Sequence, residues 1–352
     1  AQPGAHRSSR PPAGTSRPFQ LTSSLFPGLR SAACRVRDGQ ALGLRQLVLV
    51  KEKQEVARSA ESVHAVIKAY DVRGGVVGEH IDAAFVQDVG GAFARLVREE
   101  SATKVVIGYD MRASSPDLAR AFADGVTAQG LDVVLIGLAS TDQLYFASGL
   151  FDCPGAMFTA SHNPAKYNGI KLCRAGAKPV GQETGLATIA AEVVDGVPAF
   201  DGAPGTVSEE DVLEQYASFV RGLVNLSDLR PLTVAVDAGN GMGGHTVPAV
   251  FEPMPVKLEP LYFELDGTFP NHEANPLDPA NLVDLQRYVR ETGADIGLAF
   301  DGDADRCFVV DELGNPVSPS AVTALVAERE LAKEPARPSS TTSSRPTRCR
   351  SW

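Results

Sequence analysis

Between Val63 and Leu313, short β-branched runs alternate with amphipathic stretches, the pattern of a parallel α/β sheet. "KVVIGYD" (Lys104 to Asp110) reads as a buried strand running into a polar turn. The following "SPDLARAFADGVTAQG" predicts a helix with Pro116 in its first turn and Gly130 at its end, and "DVVLIG" predicts the next strand. A second unit opens at "LTVAVDAGNGMGG" (Leu232 to Gly244), again an apolar strand ending on an aspartate and a Gly-rich turn. "ADIGLAFDGDADRCFVVDELGNPV" (Ala294 to Val317) gives strand, acidic loop, strand and a turn at Gly314 and Asn315. The Gly- and Pro-rich "VDGVPAFDGAPGTV" (Val194 to Val207) is the best boundary between the units. The expected fold class is α/β: two similar domains with mixed or parallel sheets in tandem, over residues 63–205 and 206–318. In open parallel sheets ligands gather beyond the carboxyl ends of the strands, and each polar motif here sits where a strand has just ended.

Neither end of the chain shares that pattern. In residues 1–62, Arg7, Arg10, Arg17, Arg30, Arg35, Arg37 and Arg45 face Asp38 as the only acid before Glu52. Such a segment reads as an organelle transit peptide, or, since no amphipathic helix stands out, more plainly as a disordered extension or upstream sequence translated from a misplaced start. At the other end "ALVAERELAKEP" (Ala324 to Pro335) predicts a helix, within residues 319–335 expected to open a further domain. Residues 336–352, "ARPSSTTSSRPTRCRSW", then abandon all periodicity and are expected to be a disordered tail read out of frame.

At 352 residues the chain exceeds what one core serves, and its 43% hydrophobic content suffices for more than one. A formal charge of -10 argues against a general nucleic-acid binder, which needs a basic surface to displace counterions. An acidic protein that handles anions must concentrate its positive charge locally. No apolar run is long enough to span a bilayer. Cys34, Cys153, Cys173, Cys307 and Cys349 are scattered without CxxC spacing, which suggests neither a disulfide framework nor a structural zinc. A cytoplasmic monomer is the expected setting.

In "FDGDADR", Asp301, Asp303 and Asp305 alternate with Gly302 and Ala304. Three carboxylates in five residues repel one another unless a cation sits among them, and the small residues let the loop turn all three inward. Hard oxygen ligands of this kind suit Mg2+ or Mn2+. An EF-hand would also place Glu312 at its twelfth position, but its sixth would be Arg306 instead of glycine, and the flanks read as strands. A solvated acidic turn is the remaining alternative.

Ser161 follows the apolar "GAMFTA" and precedes His162, Asn163 and Pro164. Adjacent Ser and His cannot easily adopt triad geometry, and GxSxG is absent. A serine that carries a phosphoryl group fits better, because the phosphate needs a cation and donors around it. The aspartate loop supplies the cation; Lys171, Arg306, Arg73 of "AYDVRG" and Arg112 of "GYDMRASS" are the candidate donors. Asn168 and Gly169 are expected to form a turn that swings Lys171 back toward the serine.

Together "TASHNPAKYNGIK", "DGDADR", "YDVRG" and "YDMRASS" resemble the α-D-phosphohexomutase superfamily, and Tyr167-Asn168-Gly169 is similar to its bacterial phosphomannomutase/phosphoglucomutase group. The resemblance runs from about Val63 to Pro335 and includes "VAVDAGNGMGG" and "FPNHEANPLDPANL" (Phe269 to Leu282). It implies an isomerase that interconverts hexose 1-phosphate and hexose 6-phosphate through a hexose 1,6-bisphosphate. Ser161 would be the phosphoserine, with Mg2+ held by Asp301, Asp303, Asp305 and a phosphate oxygen on Ser161. Lys171 would act as general acid and base. His162 and Asn163 would shape the loop, Arg73 and Arg306 would hold charge around the phosphate, and Tyr70 and Arg112 would join the substrate and phosphate contacts.

The resemblance also implies four domains. The third domain's Gly-Glu-Met-Ser-Gly loop and the fourth domain's Arg-x-Ser-Gly-Thr loop are not in this sequence. The expectation is therefore a chain that binds Mg2+ and carries phosphate, with mutase activity lost or very low. Phosphoglucosamine mutase, a metal-dependent phosphatase and a non-catalytic two-domain interaction module stay open as alternatives.

Overall fold

The chain forms the expected tandem of α/β sheets. The computed structural model describes residues 58–76, 80–225 and 229–333, all within one unit, Val56–Trp352. The tail 336–352 and all of the N-terminal extension up to residue 57 lie outside the described residues. Ordered structure is already under way inside the stretch expected to be an extension: Arg58 pairs with Asp82 at 2.6 Å and Ser59 caps the first helix.

The first half runs α1 (Ala60–Val66), β1 (Val72–Gly75), α2 (Ala83–Glu99), β2 (Lys104–Tyr109), α3 (Ser115–Ala128), β3 (Asp132–Leu138), α4 (Thr141–Leu150), β4 (Gly155–Phe158), β5 (Tyr167–Arg174), β6 (Lys178–Pro179), α5 (Leu186–Asp195) and β7 (Val207–Glu209). Helix starts follow local chemistry: Asp82 accepts from Phe85 N ahead of α2, Ser140 accepts from Gln143 N ahead of α4, and Pro116 sits in the first turn of α3. The sheet order is β1-β5-β4-β2-β3-β7, with β6 on β5. Strands β4, β2, β3 and β7 are parallel, while β5 is antiparallel to both β4 and β1. Helices cover both faces. One face packs α2, α3 and α5 around Phe93, Phe122 and Phe158, whose rings meet at 5.9 and 5.6 Å; the other packs Leu144 and Ala147 of α4 on Val106, Ile136 and Met157. The stretch 194–207 leads into β7, the edge strand beside β3, so the first sheet runs on to Glu209.

The second half runs α6 (Leu213–Gly222), β8 (Leu232–Asp237), α7 (Gly243–Phe251), β9 (Val256–Leu261), α8 (Val283–Thr292), β10 (Ile296–Phe300), β11 (Cys307–Val310) and α9 (Pro319–Lys333). Its sheet order is β11-β10-β8-β9, parallel except for the β10–β11 hairpin. Leu282, Leu285 and Val289 fill one face and Val247 of α7 the other. Both halves repeat one device at a strand end: Asp110 and Asp237, buried, accept from the backbone N–H two residues on, at Arg112 and Gly239. The helix expected from Ala324 begins earlier, at Pro319.

Candidate active site

The serine loop leaves the carboxyl end of β4 and returns as β5. Ser161 is fully buried with φ 52, in the left-handed region. Its N–H donates to Thr159 Oγ1 at 2.8 Å, and the loop is closed by Asn163 N to Ala160 O and Tyr167 N to Pro164 O, each 3.0 Å. Asn168 and Gly169 do not form the expected turn. They lie within β5, where Gly169 sits opposite Arg73 on β1 and a Cβ would meet Val72 O at 2.3 Å. Lys171 is brought back by antiparallel pairing, opposite Met157 of β4.

The acidic loop joins β10 to β11. Ala304 takes φ 56, which tightens the loop, and Arg306 N donates to Asp301 Oδ1 at 3.1 Å. One carboxylate oxygen from each of Asp301, Asp303 and Asp305 lies within 4.8 Å of the others. Lys171 Nζ donates to Asp303 Oδ2 at 2.6 Å and Asp305 Oδ2 at 2.7 Å. Thr141, the first residue of α4, donates its hydroxyl to Asp303 Oδ2 at 2.6 Å and its N–H to Asp303 O at 3.0 Å. Burial opposes charge on Asp303, yet the Lys171 charge and these hydrogen bonds hold it below the usual carboxylate range. Burial, then the neighbouring carboxylates of Asp303 and Asp305, push Asp301 up to about 7. On Lys171, burial is outweighed by the two aspartates, which hold the ammonium well above its ordinary value. Asp303 Oδ1 and Asp305 Oδ1 are buried without a hydrogen-bond partner among the described residues. Asp305 Oδ1 has only the Arg306 Nε charge at 3.6 Å; two buried oxygens without hydrogen bonds, in a cluster of hard ligands, fit a divalent cation.

The two loops face each other. Ser161 Oγ donates to Asp301 Oδ2 at 2.8 Å and accepts from Arg306 Nη2 at 3.1 Å. Arg306 Nη1 donates to His162 Nδ1 at 2.9 Å; that nitrogen stands 3.4 Å from Ser161 Oγ and is engaged as an acceptor, which sets aside the Ser-His hydrolase reading. Burial first, then Arg306 and Arg73, hold the His162 imidazole below its ordinary pKa, in the neutral form. Arg73 Nη1 donates to Ala160 O at 3.1 Å and Nη2 to Asp71, while its buried Nε has no partner among the described residues. The alternating aspartates are thus neither a solvated turn nor an EF-hand: Asp301 and Asp303 are fully buried between strands.

Two expected contacts are placed differently. Arg112 is 1% exposed, and each of its five N–H groups is taken within the protein, so it has no donor left for a substrate phosphate. Tyr70 is 85% exposed, with no hydrogen bond to either loop among the described residues. Thr141 belongs to the assembly and escaped sequence reasoning, as did the close approach of Gly302 to Ser161 and of Phe269 to Arg112. For Thr141 one signal existed: it follows a parallel strand's carboxyl end, where ligands gather.

Residues 64–196 match the family profile "Phosphoglucomutase/phosphomannomutase, alpha/beta/alpha domain I", and residues 214–314 match that of domain II. The chain belongs to the phosphoglucomutase/phosphomannomutase family. A Salmonella typhimurium phosphomannomutase is 37% identical over 276 residues, covering 76% of this chain and 60% of that protein. A Neisseria meningitidis phosphoglucomutase is 37% identical over 272 residues, covering 77% and 58%. The crystal structure of a phosphoglucomutase/phosphomannomutase family protein from Burkholderia thailandensis matches with a TM-score of 0.71 at 36% identity, covering 76% of this chain and 59% of that one. The chain spans about 60% of the length of these relatives. Within this family's first two domains, the serine loop belongs to the first and the acidic loop to the second. No helix among the described residues is long and apolar enough to cross a membrane.

Proposed function

We propose that this protein interconverts hexose 1-phosphates and hexose 6-phosphates of glucose or mannose, by way of a phosphate carried on Ser161 and a hexose 1,6-bisphosphate. The observation that carries this reading is the 2.8 Å hydrogen bond from Ser161 Oγ to Asp301, in a carboxylate cluster with two buried oxygens that accept no hydrogen bond among the described residues and a guanidinium alongside. Asp301, Asp303 and Asp305 would hold Mg2+, which when bound supplies positive charge against the transferring phosphoryl group.

The chain's own residues account for the rest. Phosphoryl transfer is mostly positioning and charge neutralisation. In the forward half, the bond between phosphorus and Ser161 Oγ breaks as one forms to a sugar hydroxyl, whose proton must leave. Lys171, an ammonium paired to Asp303 and Asp305 in the cleft, gives a proton to Ser161 Oγ as the phosphorus leaves it and takes up the proton of the sugar hydroxyl; the exchange runs backward in the reverse half, when the phosphoryl group at the other end of the bisphosphate rejoins Ser161. Arg306 faces the oxygen that carries the phosphate, and Arg73, with its idle Nε, completes the cationic wall. His162, held neutral, accepts from Arg306 and fixes its fork, while Asn163 shapes the loop through its backbone. Cys153 and Cys173 are free and buried, in keeping with a reducing cytoplasm.

The test is the intact mass of the purified chain with Mg2+ and glucose 1,6-bisphosphate. One added phosphoryl group, mapped to Ser161 and absent from Ser161→Ala, is the expected result. Phosphate that never appears there, or that maps elsewhere, sinks the reading. Turnover of hexose 1-phosphate in a coupled assay then reports how much of the full reaction these residues sustain.

A further inference from the structure

Arg112 is the largest fully buried side chain among the described residues, yet none of its hydrogen bonds goes to the carboxylate cluster. Its Nε donates to buried Asp110 at 3.2 Å. Nη1 donates to Pro164 O at 2.9 Å and Tyr167 O at 3.1 Å; Nη2 donates to Ser161 O at 2.9 Å and Asn163 O at 2.7 Å. Four inward-pointing carbonyls of one irregular loop are satisfied by a single planar fork. A lysine, with three donors on one atom, cannot reach that set. From the second domain, Phe269 lies 5.1 Å from the guanidinium, ring face toward it, and a Cβ on Gly267 would come within 2.8 Å of Arg112 Cα. The turn that carries both, closed by Phe269 N to Asp266 O at 3.0 Å, therefore sits directly on the arginine.

We propose that Arg112 is the positioning residue of the serine loop, and that the Phe269 turn of the second domain seals it. Left-handed backbone at a non-glycine residue persists only where its surroundings over-determine it. At Ser161 the N–H is fixed by Thr159 and the C=O by Arg112, so the direction of Oγ toward Asp301 is a property of the clamp. The domain that brings the carboxylates also brings the seal, which ties correct presentation of the hydroxyl to docking of the two domains. This inference rests on Ser161 as phosphoryl carrier for its functional half, while its structural half stands apart from that reading.

The experiment compares the full chain with Arg112→Lys and Phe269→Ala, reading amide hydrogen exchange and the rate at which glucose 1,6-bisphosphate phosphorylates Ser161. In Arg112→Lys, the Asn163 and Tyr167 amides should exchange faster by about tenfold while β2 and β3 keep their protection. Phosphorylation should slow by about a hundredfold, as expected for a reacting oxygen displaced by about 1 Å. Phe269→Ala keeps all five hydrogen bonds and should shift both readouts in the same sense by a smaller factor. Wild-type loop exchange and phosphorylation in Arg112→Lys overturn the proposal, and so does protection lost evenly through β2 and β3. Should Arg112→Lys fail to fold, Phe269→Ala decides: both readouts moved supports the seal, neither moved overturns it. If the unmodified chain takes up no phosphate, the carrier reading falls, and loop exchange alone still decides for or against the clamp.

Discussion

Gly302 lies against the backbone of Ser161: a Cβ built on it would stand 2.5 Å from the Ser161 carbonyl oxygen. The acidic loop and the serine loop can therefore approach this closely only with no side chain at that position. Gly302→Ala should push the loops apart by several tenths of an ångström and lengthen the bond from Ser161 to Asp301. The expected result is a folded protein whose Ser161 is phosphorylated at least about tenfold more slowly. Unaltered kinetics of phosphate uptake would show that the contact is not limiting.

Lys171 neutralises Asp303 and Asp305 whether or not a cation joins them. Chelation with EDTA should accordingly leave wild type cooperatively folded while phosphate uptake stops. Lys171→Met removes the partner from a nearly buried cluster and should cost about 3 kcal/mol in EDTA. Saturating Mg2+ should recover part of that, since a ligand that binds only the folded state stabilises it. Urea titrations of both proteins, with and without the ion, measure the difference; an equal penalty in both buffers argues against a cation among these aspartates.

Thr141 contributes a hydroxyl to Asp303 from the first turn of α4. Thr141→Val keeps the shape and deletes the donor, leaving a buried carboxylate oxygen with Lys171 alone. A loss of about 1 kcal/mol in urea unfolding is expected, with Thr141→Ser close to wild type. Equal stability of all three would mean that the hydroxyl is dispensable.

The pH dependence of stability should show His272. Its Nε2 faces Asp237 Oδ2 and its Nδ1 faces Glu273 O, each at 2.9 Å, so both nitrogens meet acceptors and the imidazolium satisfies both. Tyr262 and His272 pack their rings T-shaped with centroids 5.4 Å apart, and Tyr262 donates to Asp284, whose charge also acts on His272. Burial works against the charged form, but the hydrogen bond and charge of Asp237 prevail and raise the pKa above its ordinary value. The contribution is thus fully present below about pH 6.5, the unfolded value, and is lost as pH climbs through the folded one. It should amount to about 1 kcal/mol, allowing for partial exposure. His272→Gln should remove this slope above about pH 6.5; curves that stay parallel to wild type refute the assignment.

What could be read from the residues was whatever a strand delivers to its own end. Ser161 and the three aspartates follow apolar runs directly, and pattern alone put them at the carboxyl edges of parallel sheets. Asp110 and Asp237 were visible as a shared plan, though their hydrogen bonds to the next turn were not. The place of Arg112 is not legible because four of its partners are carbonyls about fifty residues away, and a carbonyl leaves no mark on a sequence. Asn168 and Gly169 looked like a turn because glycine signals both a turn and a strand crowded by its neighbour; only pairing with β1 separates the two. Thr141 carries no motif and Phe269 only opens a family-like stretch; their parts depend on loops more than 100 residues away closing on the same cleft.

The φ of 52 at Ser161 has an outcome for which amino acid can occupy the position. Threonine offers the same hydroxyl and, in most settings, accepts phosphate as well. Its branched Cβ makes left-handed backbone a true outlier, so Ser161→Thr would have to unwind the turn before it could present oxygen to Asp301. What confines this site to serine is stereochemistry of the main chain, ahead of any difference in the reactivity of the two alcohols.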